Sequence, residues 1–426
     1  MKSYAICTLG CKVNTYEAQS VNQQLQQKGY IEKDFKDVCD IYIIFTCAVT
    51  NTAASKSRQK IHQAIRQNKD AIICVVGCYV QIDVANLKKD EHIDILIGSK
   101  YKDRLVEYIE RYQDRQLNLV EDLKDVAFEK LTVDTFNHQT RAYLKIQDGC
   151  NQYCSYCIIP YARGKERSMP YQEVIQEAKE LSKHHQEIVL TGIHTGRYGK
   201  EYGVSLAALI KMILQEVKDI KRIRISSIEI TEIDDELIEL IKNDQRVAAH
   251  LHIPLQAGDD VTLKRMNRPY TCAEFLQRIN EIRENIPFIS ISTDLIVGFV
   301  NESEEEFAHT YEFLKQCQFS FIHVFPYAMK KGTKASFMSG HLDNATKKLR
   351  SNQCLELSHD LNYVFMSKFI NQEVEVLVEG YDGKYAYGYT SEYIYVYIDA
   401  KLAANTLVKA CITHIEKDRA YAKVVE

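Results

Sequence analysis

No apolar run in this chain of 426 residues reaches the roughly 18 needed to cross a bilayer as a helix. Net positive charge is lacking too. The 54 lysines and arginines face 58 aspartates and glutamates, a formal net charge of -4. That excludes a uniformly basic nucleic-acid coat while leaving room for a local basic groove. There is no long internal repeat and no low-complexity tract. The opening MKSYAICTLGC faintly imitates a lipoprotein cleavage site, but only ten residues precede Cys11, too few for a charged region followed by an apolar one. The expectation is a cytoplasmic protein with no membrane association, long enough for about two to four domains.

Cysteine, by contrast, is plentiful, with 13 residues. A disulfide scaffold fits poorly, because such scaffolds are small and here the cysteines cluster. Clustered cysteines in a reducing compartment read as metal ligands.

Residues 1–115 alternate strand and helix patterns. YAICTL, IYIIF, AIICVVG and IDILIG read as strands. TYEAQSVNQQLQQKG reads as a helix capped by Asn14 or Thr15 and stopped by Gly29, and NTAASKSRQKIHQAIRQ as the next. This alternation argues a parallel α/β sheet domain with covering helices. Cys11, Cys47 and Cys78 each follow the carboxyl end of a strand, where ligands bind in open parallel sheets, so three thiolates from three strand ends can converge. Cys7 and Cys74 lie inside strands and are expected in the core.

Residues 116–138 carry mixed charge and read as a linker. From 139 to 367 the alternation resumes, with strands at RAYLKIQ, EIVLT, RIRIS, AAHLHI, ISISTDLIV and SFIHVF. Six β/α units suggest a partial barrel, whose active site belongs at the carboxyl ends of its strands. Residues 368–426 alternate with period two and carry YDGK, a hairpin turn signal, so they read as a small all-β domain.

The stretch DGCNQYCSYCIIPYARG places Cys150, Cys154 and Cys157 at C-x3-C-x2-C spacing. A closed zinc site or a fully protein-ligated cluster takes four ligands. Three thiolates on a four-iron cubane leave one iron open to a substrate.

That spacing, with Tyr156 before the last cysteine, resembles the radical S-adenosylmethionine (radical-SAM) superfamily, and GCNQYCSYCIIPYARG resembles its methylthiotransferase branch. TLGCKVNTYEAQ, TCAVTNTA, SRQKI and GCYVQ resemble that family's amino-terminal domain; EIVLTGIHTGRYG, HLHIPLQAGDDVTLKRMNRPYT and STDLIVGF resemble its (β/α)6 partial barrel; and the last segment resembles its RNA-binding β-barrel, known as TRAM. TLGCKVN with TCAVTN is most similar to the branch acting on threonylcarbamoyladenosine beside the transfer-RNA anticodon.

The resemblance implies two [4Fe-4S] clusters. One is held by Cys150, Cys154 and Cys157 and cleaves S-adenosylmethionine; the other is held by Cys11, Cys47 and Cys78 and delivers sulfur. An adenosyl radical would take a hydrogen from an unactivated carbon, and a second S-adenosylmethionine would supply the methyl group. Adenine C2 is neither acidic nor electrophilic, so no side-chain acid or base is assigned and the cofactors carry the chemistry. The implied partners are the tRNA anticodon stem-loop, an electron-donating reductase and a sulfur donor. Methylthiolation of isopentenyladenosine, or of a ribosomal protein side chain, is the alternative.

Weaker candidates follow from position. Gly192 and Gly196 either admit the methionine end of the cofactor or form a tight turn. Glu229 would accept from a ribose hydroxyl or stand solvated, and Gln256 and Asp294 would be polar wall residues. Arg163 would bind a carboxylate or phosphate, or make a surface salt bridge. His252 and His323 are expected to be packed or hydrogen-bonded rather than general bases. Lys56, Arg58 and Lys60, with Lys330, Lys331 and Lys334, either contact phosphate or form a solvated face. The tyrosines at 381, 385, 387, 389, 393, 395 and 397 could stack on bases or serve strand packing. Three positions depart from the family pattern: Phe45, Ile230 and the pair Val300–Asn301.

Overall fold

The computed structural model describes residues 1–137 and 139–425. The chain opens with β1 (Ser3–Thr8), α1 (Lys12–Gln27), β2 (Ile31–Glu32), β3 (Ile41–Thr46), α2 (Asn51–Gln67), β4 (Ile72–Gly77), α3 (Cys78–Leu87), β5 (Ile95–Ile97), α4 (Leu105–Glu110) and β6 (Leu117–Asn118). These strands form one parallel sheet in the order β2-β1-β3-β4-β5-β6. All six residues of β3, IYIIFT, are buried, as expected of a central strand covered on both faces. Cys74 is fully buried in this core, whereas Cys7 is only partly covered.

Two local expectations change. The cap of α1 is Cys11 rather than Asn14 or Thr15. Asn14 lies one turn inside, where its amide donates to Leu9 O at 2.7 Å and Thr46 O at 3.0 Å. It thereby ties the loop after β1 to the end of β3. Residues 116–138 are not a free linker either. β6 adds a sixth strand to the sheet, and Leu131, Val133 and Phe136 are buried in the core of the central domain. Apolar side chains spaced along a mixed-charge segment give weak periodicity, which is why the segment reads as a tether. His138 falls outside the described residues.

The central domain comprises β7 (Arg141–Lys145), β8 (Gln147–Asp148), α5 (Ile159–Arg163), β9 (Arg167–Ser168), α6 (Tyr171–Ser182), β10 (Glu187–Thr191), α7 (Leu206–Glu216), β11 (Arg222–Ile225), α8 (Asp235–Asn243), β12 (His250–His252), α9 (Asp260–Arg265), α10 (Cys272–Asn285), β13 (Ser290–Val297), α11 (Glu304–Cys317), β14 (Phe321–Pro326) and α12 (Asn344–Ser367). Two three-stranded parallel sheets, β7-β10-β11 and β12-β13-β14, are joined by the parallel bridges Ile223–Val247 and Ser227–His252. The result is six parallel strands in chain order, an open partial barrel. Asn301, where the family pattern has a proline-glycine turn, adopts φ +58 and anchors the loop by donating its side-chain amide to Ser339 O. Phe45 and Ile230 are simply buried.

After α12 come β15 (Glu373–Tyr381), β16 (Ala386–Thr390), β17 (Tyr395–Ile398), β18 (Thr406–Glu416) and β19 (Arg419–Val424), a closed barrel in the order β15-β16-β17-β19-β18. YDGK turns β15 into β16, with Asp382 accepting from the Lys384 and Tyr385 amides. This small barrel docks on the amino-terminal ends of the partial-barrel strands. Arg222 and Arg224 pair with the buried Glu187 and also reach Glu375, Tyr389, Thr390 and Ser391 of the small barrel. Tyr393 stacks on His250 at 4.8 Å beneath the Arg141 and Arg224 guanidiniums. Tyr393, and Tyr389 stacked on it, therefore serve domain packing.

Candidate active site: two cysteine triads

β1, β3 and β4 are neighbours in the amino-terminal sheet, with Thr8 opposite Phe45 and Thr46 opposite Gly77. Their carboxyl ends are thus level. With strands about 4.8 Å apart, the loops that follow bring Cys11, Cys47 and Cys78 to one edge. Gly10 permits the close approach. Its φ is +102, and a Cβ there would stand 2.7 Å from Cys47 Cβ and 2.9 Å from its sulfur. Cys11 caps α1 and Cys78 opens α3, so two helix N-termini face the triad. Burial pushes the Cys47 thiol up to about 11, with Cys78 and Cys11 adding like-charge repulsion. Cys78 is raised by burial against the pull of Arg163.

The second group of thiols lies on the loop from β8 to α5. Gly149, at φ +74, lets the loop cross its return strand, since a Cβ there would collide with Lys165 O at 1.9 Å. The Cys157 amide donates to Cys154 O at 2.9 Å, and the Gln152 amide to Cys150 Sγ at 3.4 Å. Burial pushes the Cys157 thiol up to about 12, and its neighbours Cys154 and Cys150 repel its thiolate further.

A cation backed by a carboxylate meets one sulfur in three places. Arg268 donates to Cys154 Sγ at 3.3 Å and pairs with Glu229. His194 lies 3.4 Å from Cys150 Sγ and 2.9 Å from Glu232. Burial pushes the His194 ring down, but the neighbouring Cys150 and Glu232 outweigh that and raise it to about 10. Arg163 donates from Nε to Cys78 Sγ at 3.1 Å and pairs with Glu17 at 2.6 Å. None of these contacts is visible in local sequence. The only signal is that each partner is a polar residue just past a strand end or within one of the family-like motifs.

The other candidates fare unevenly. Both glycines sit against close neighbours: a Cβ at Gly192 would meet Gln147 at 3.0 Å, and one at Gly196 would meet Glu232 at 2.3 Å. Glu229 pairs through one oxygen with Arg268. Gln256, in the loop after β12, holds a left-handed φ of +70 while its backbone bonds Asp294 and Ile296, so its half-exposed side chain is aimed by a strained residue. Asp294 lies 3.2 Å from His252, whose other ring nitrogen is 2.9 Å from Ser292 Oγ; His323 packs edge-on against His252. Arg163 is fully buried, which overturns the surface salt bridge.

The donor sets fit iron–sulfur clusters. All six cysteines are free thiols. Among the described residues, no three histidine, cysteine or carboxylate side chains gather tightly enough for a single metal ion. Two sets of three soft donors, each set within mutual electrostatic reach, suit a polynuclear iron–sulfur centre with one iron left open.

Comparison with known proteins agrees with this geometry. The radical SAM superfamily pattern matches residues 144–314, and that of the uncharacterized protein family UPF0004 matches residues 3–98. The threonylcarbamoyladenosine tRNA methylthiotransferase MtaB of Bacillus subtilis strain 168 is 43% identical over 384 residues, spanning 89% of this chain and 85% of that protein. The chain belongs to the radical-SAM methylthiotransferase family. Within it, the tRNA-2-methylthio-N(6)-dimethylallyladenosine synthase of Thermoanaerobacter pseudethanolicus is 34% identical over 389 residues, 88% of this chain and 82% of that protein. Among solved structures, the radical S-adenosylmethionine methyltransferase TsrM from Kitasatospora setae, with cobalamin and a [4Fe-4S] cluster bound, superposes at TM-score 0.54 and 12% identity over 76% of this chain and 75% of that one. That likeness is one of fold. No helix among the described residues is long and apolar enough to cross a membrane.

Proposed function

We propose that this chain is a tRNA methylthiotransferase that installs a methylthio group at C2 of N6-threonylcarbamoyladenosine beside the anticodon. The observation that carries the reading is the pair of cysteine triads at strand carboxyl ends, in a chain 34–43% identical over nearly its whole length to five proteins named for that activity. Relatives named for the dimethylallyladenosine substrate stand at 32–34%, which keeps that nucleoside as the second reading.

When bound, the two [4Fe-4S] clusters and S-adenosylmethionine supply the radical, the sulfur and the methyl group. Cys150, Cys154 and Cys157 hold one cluster, and Cys11, Cys47 and Cys78 the other. Arg268 and His194 neutralise thiolate charge at the first, and Gln256 and Asp294 line the space beyond the strand ends. Residues 1–115, 139–367 and 368–426 act as three domains, with 116–138 as a packed strap.

Phosphate contacts come from the exposed Lys56, Arg58, Lys331 and Lys334. Lys330 donates to Asn51 at 3.0 Å, which joins the loop after β14 to the start of α2, the helix carrying Lys56 and Arg58. RNA binding should weaken with salt. A tRNA substrate implies a cytoplasmic protein, and the reaction needs an electron donor and a sulfur donor.

The deciding experiment is mass analysis of tRNA nucleosides from a deletion strain. Loss of 2-methylthio-N6-threonylcarbamoyladenosine is expected. Its persistence, with loss of the dimethylallyl nucleoside or of a ribosomal protein modification, would transfer the activity to that substrate.

A further inference from the structure

At the seam between α1 and the partial barrel, ion pairs link four cations, Lys102, Lys145, Arg163 and Arg167, to three carboxylates, Glu17, Glu129 and Asp148. Glu17 and Arg163 are completely buried. Burial pushes Glu17 up, but Arg163, Lys102 and Lys145 outweigh it and hold the carboxyl at about 2. The network therefore carries one positive charge more than its carboxylates match.

Arg163 is the cation aimed out of the network. One Nη lies 2.6 Å from Glu17, the other donates to Asn14 Oδ1 at 2.7 Å, and Nε donates to Cys78 Sγ at 3.1 Å. Asn14 is the side chain that ties the loop after β1 to β3. Arg163 also closes α5, the short helix that begins two residues after Cys157. The segment carrying one triad thus ends on a residue bonded to a ligand of the other.

We propose that Arg163 is a positioning residue for the amino-terminal cluster: it fixes Cys78 and favours that cluster's reduced state, and it ties the cluster's placement to the loop carrying Cys150, Cys154 and Cys157. A reduced cluster bears one more negative charge. A fixed guanidinium bonded to a ligand sulfur in a water-poor seam stabilises that charge. Lysine would keep the charge but cannot bond Cys78, Glu17 and Asn14 at once. The proposal rests on the two-cluster reading above.

The test uses the full-length chain with Cys150, Cys154 and Cys157 replaced by alanine, so that only the amino-terminal cluster loads. Redox titration followed by electron paramagnetic resonance compares this chain with Arg163→Lys and Arg163→Met derivatives. Both should hold about four irons, and at the parent's midpoint their ratio of reduced to oxidised cluster should fall about tenfold, ~59 mV for one electron. Glu17→Gln, which leaves Arg163 less neutralised, should shift the midpoint the opposite way, and it carries the test if the Arg163 variants fail to fold. Loaded chains whose midpoint and spectrum ignore these changes overturn the proposal. A parent chain that takes up no iron sinks the two-cluster reading, and this proposal with it.

Discussion

Arg268 Nη1 stands 3.3 Å from Cys154 Sγ, although 114 residues separate the two in sequence. The same guanidinium pairs with Glu229 and donates to Pro254 O and Tyr270 Oη, so it is held by three groups while it neutralises a ligand sulfur. Arg268→Gln removes the charge and leaves Glu229 unpaired. We expect about a 10–100-fold loss of iron retention or of S-adenosylmethionine cleavage, typical when a partner of a metal ligand is removed. Iron per chain after gel filtration and the yield of 5′-deoxyadenosine under reduction measure it; wild-type values for both would show that the contact has no role.

The two triads should separate genetically. Cys47→Ala or Cys78→Ala is expected to lower the iron content from about eight to about four while S-adenosylmethionine cleavage persists without any methylthio product. Cys154→Ala should abolish cleavage and product together. Iron analysis, deoxyadenosine yield and nucleoside mass analysis on the same preparations read all three outcomes.

Gly10→Ala tests the approach of the amino-terminal loops. The new Cβ would press on Cys47 at 2.7 Å from a backbone whose φ of +102 disfavours any side chain. The strain costs roughly 1–2 kcal/mol, small enough for the domain to fold. The variant should melt within a few degrees of the parent yet retain only the cluster of Cys150, Cys154 and Cys157, read as about half the iron. Full iron loading would mean that the loops yield without consequence.

The cysteine positions were legible because strand and loop alternate locally: each of Cys11, Cys47 and Cys78 follows an apolar run, and the parallel sheet sets their convergence. Arg163, Arg268 and His194 were not legible as sulfur partners. Each acts across a fold-level contact, 85 residues in the case of Arg163 and Cys78, and periodicity reports only on neighbours along one element. The role of Tyr393 was left open for a related reason. A strand-rich segment crowded with tyrosine resembles a stacking surface, and only the docking of two domains shows that its ring faces His250 and two arginines. Leu131, Val133 and Phe136 made a strap of what composition read as a linker, since three buried side chains among charged ones leave no regular spacing.

The docking of the small barrel rests on Glu187, which is fully buried between Arg222 and Arg224. Glu187→Ala strands two guanidiniums at that interface. Losing one member of a buried charge cluster typically costs on the order of 3–5 kcal/mol. Arg222 keeps Glu375 and both arginines keep backbone carbonyls, so the lower end is expected. Urea unfolding should show a first transition at lower denaturant, and limited proteolysis should release the small barrel after α12. A stability within about 1 kcal/mol of the parent would show that the carbonyls alone suffice.

Glu177 links α6 to α1 and the strap: Tyr16 Oη donates to it at 2.8 Å and the Val133 amide at 3.0 Å. Burial pushes its carboxyl up to about 8, against the lowering effect of those two donors. A raised acid favours the neutral form, so its contribution to stability is complete below the ordinary value of 4.5 and is lost as pH rises through about 8. A tenfold change in proton affinity between the folded and unfolded chain is worth about 1.4 kcal/mol, so the loss amounts to a few kcal/mol. Glu177→Gln cannot ionise and is spared that loss. At pH 5 it should be no more stable than the parent, because an amide replaces a well-bonded carboxylic acid. At pH 9 it should be the more stable of the two. Urea midpoints for both chains across that range decide it: curves that stay parallel would mean that Glu177 is already ionised in the folded protein at pH 5 and that the seam accommodates its charge.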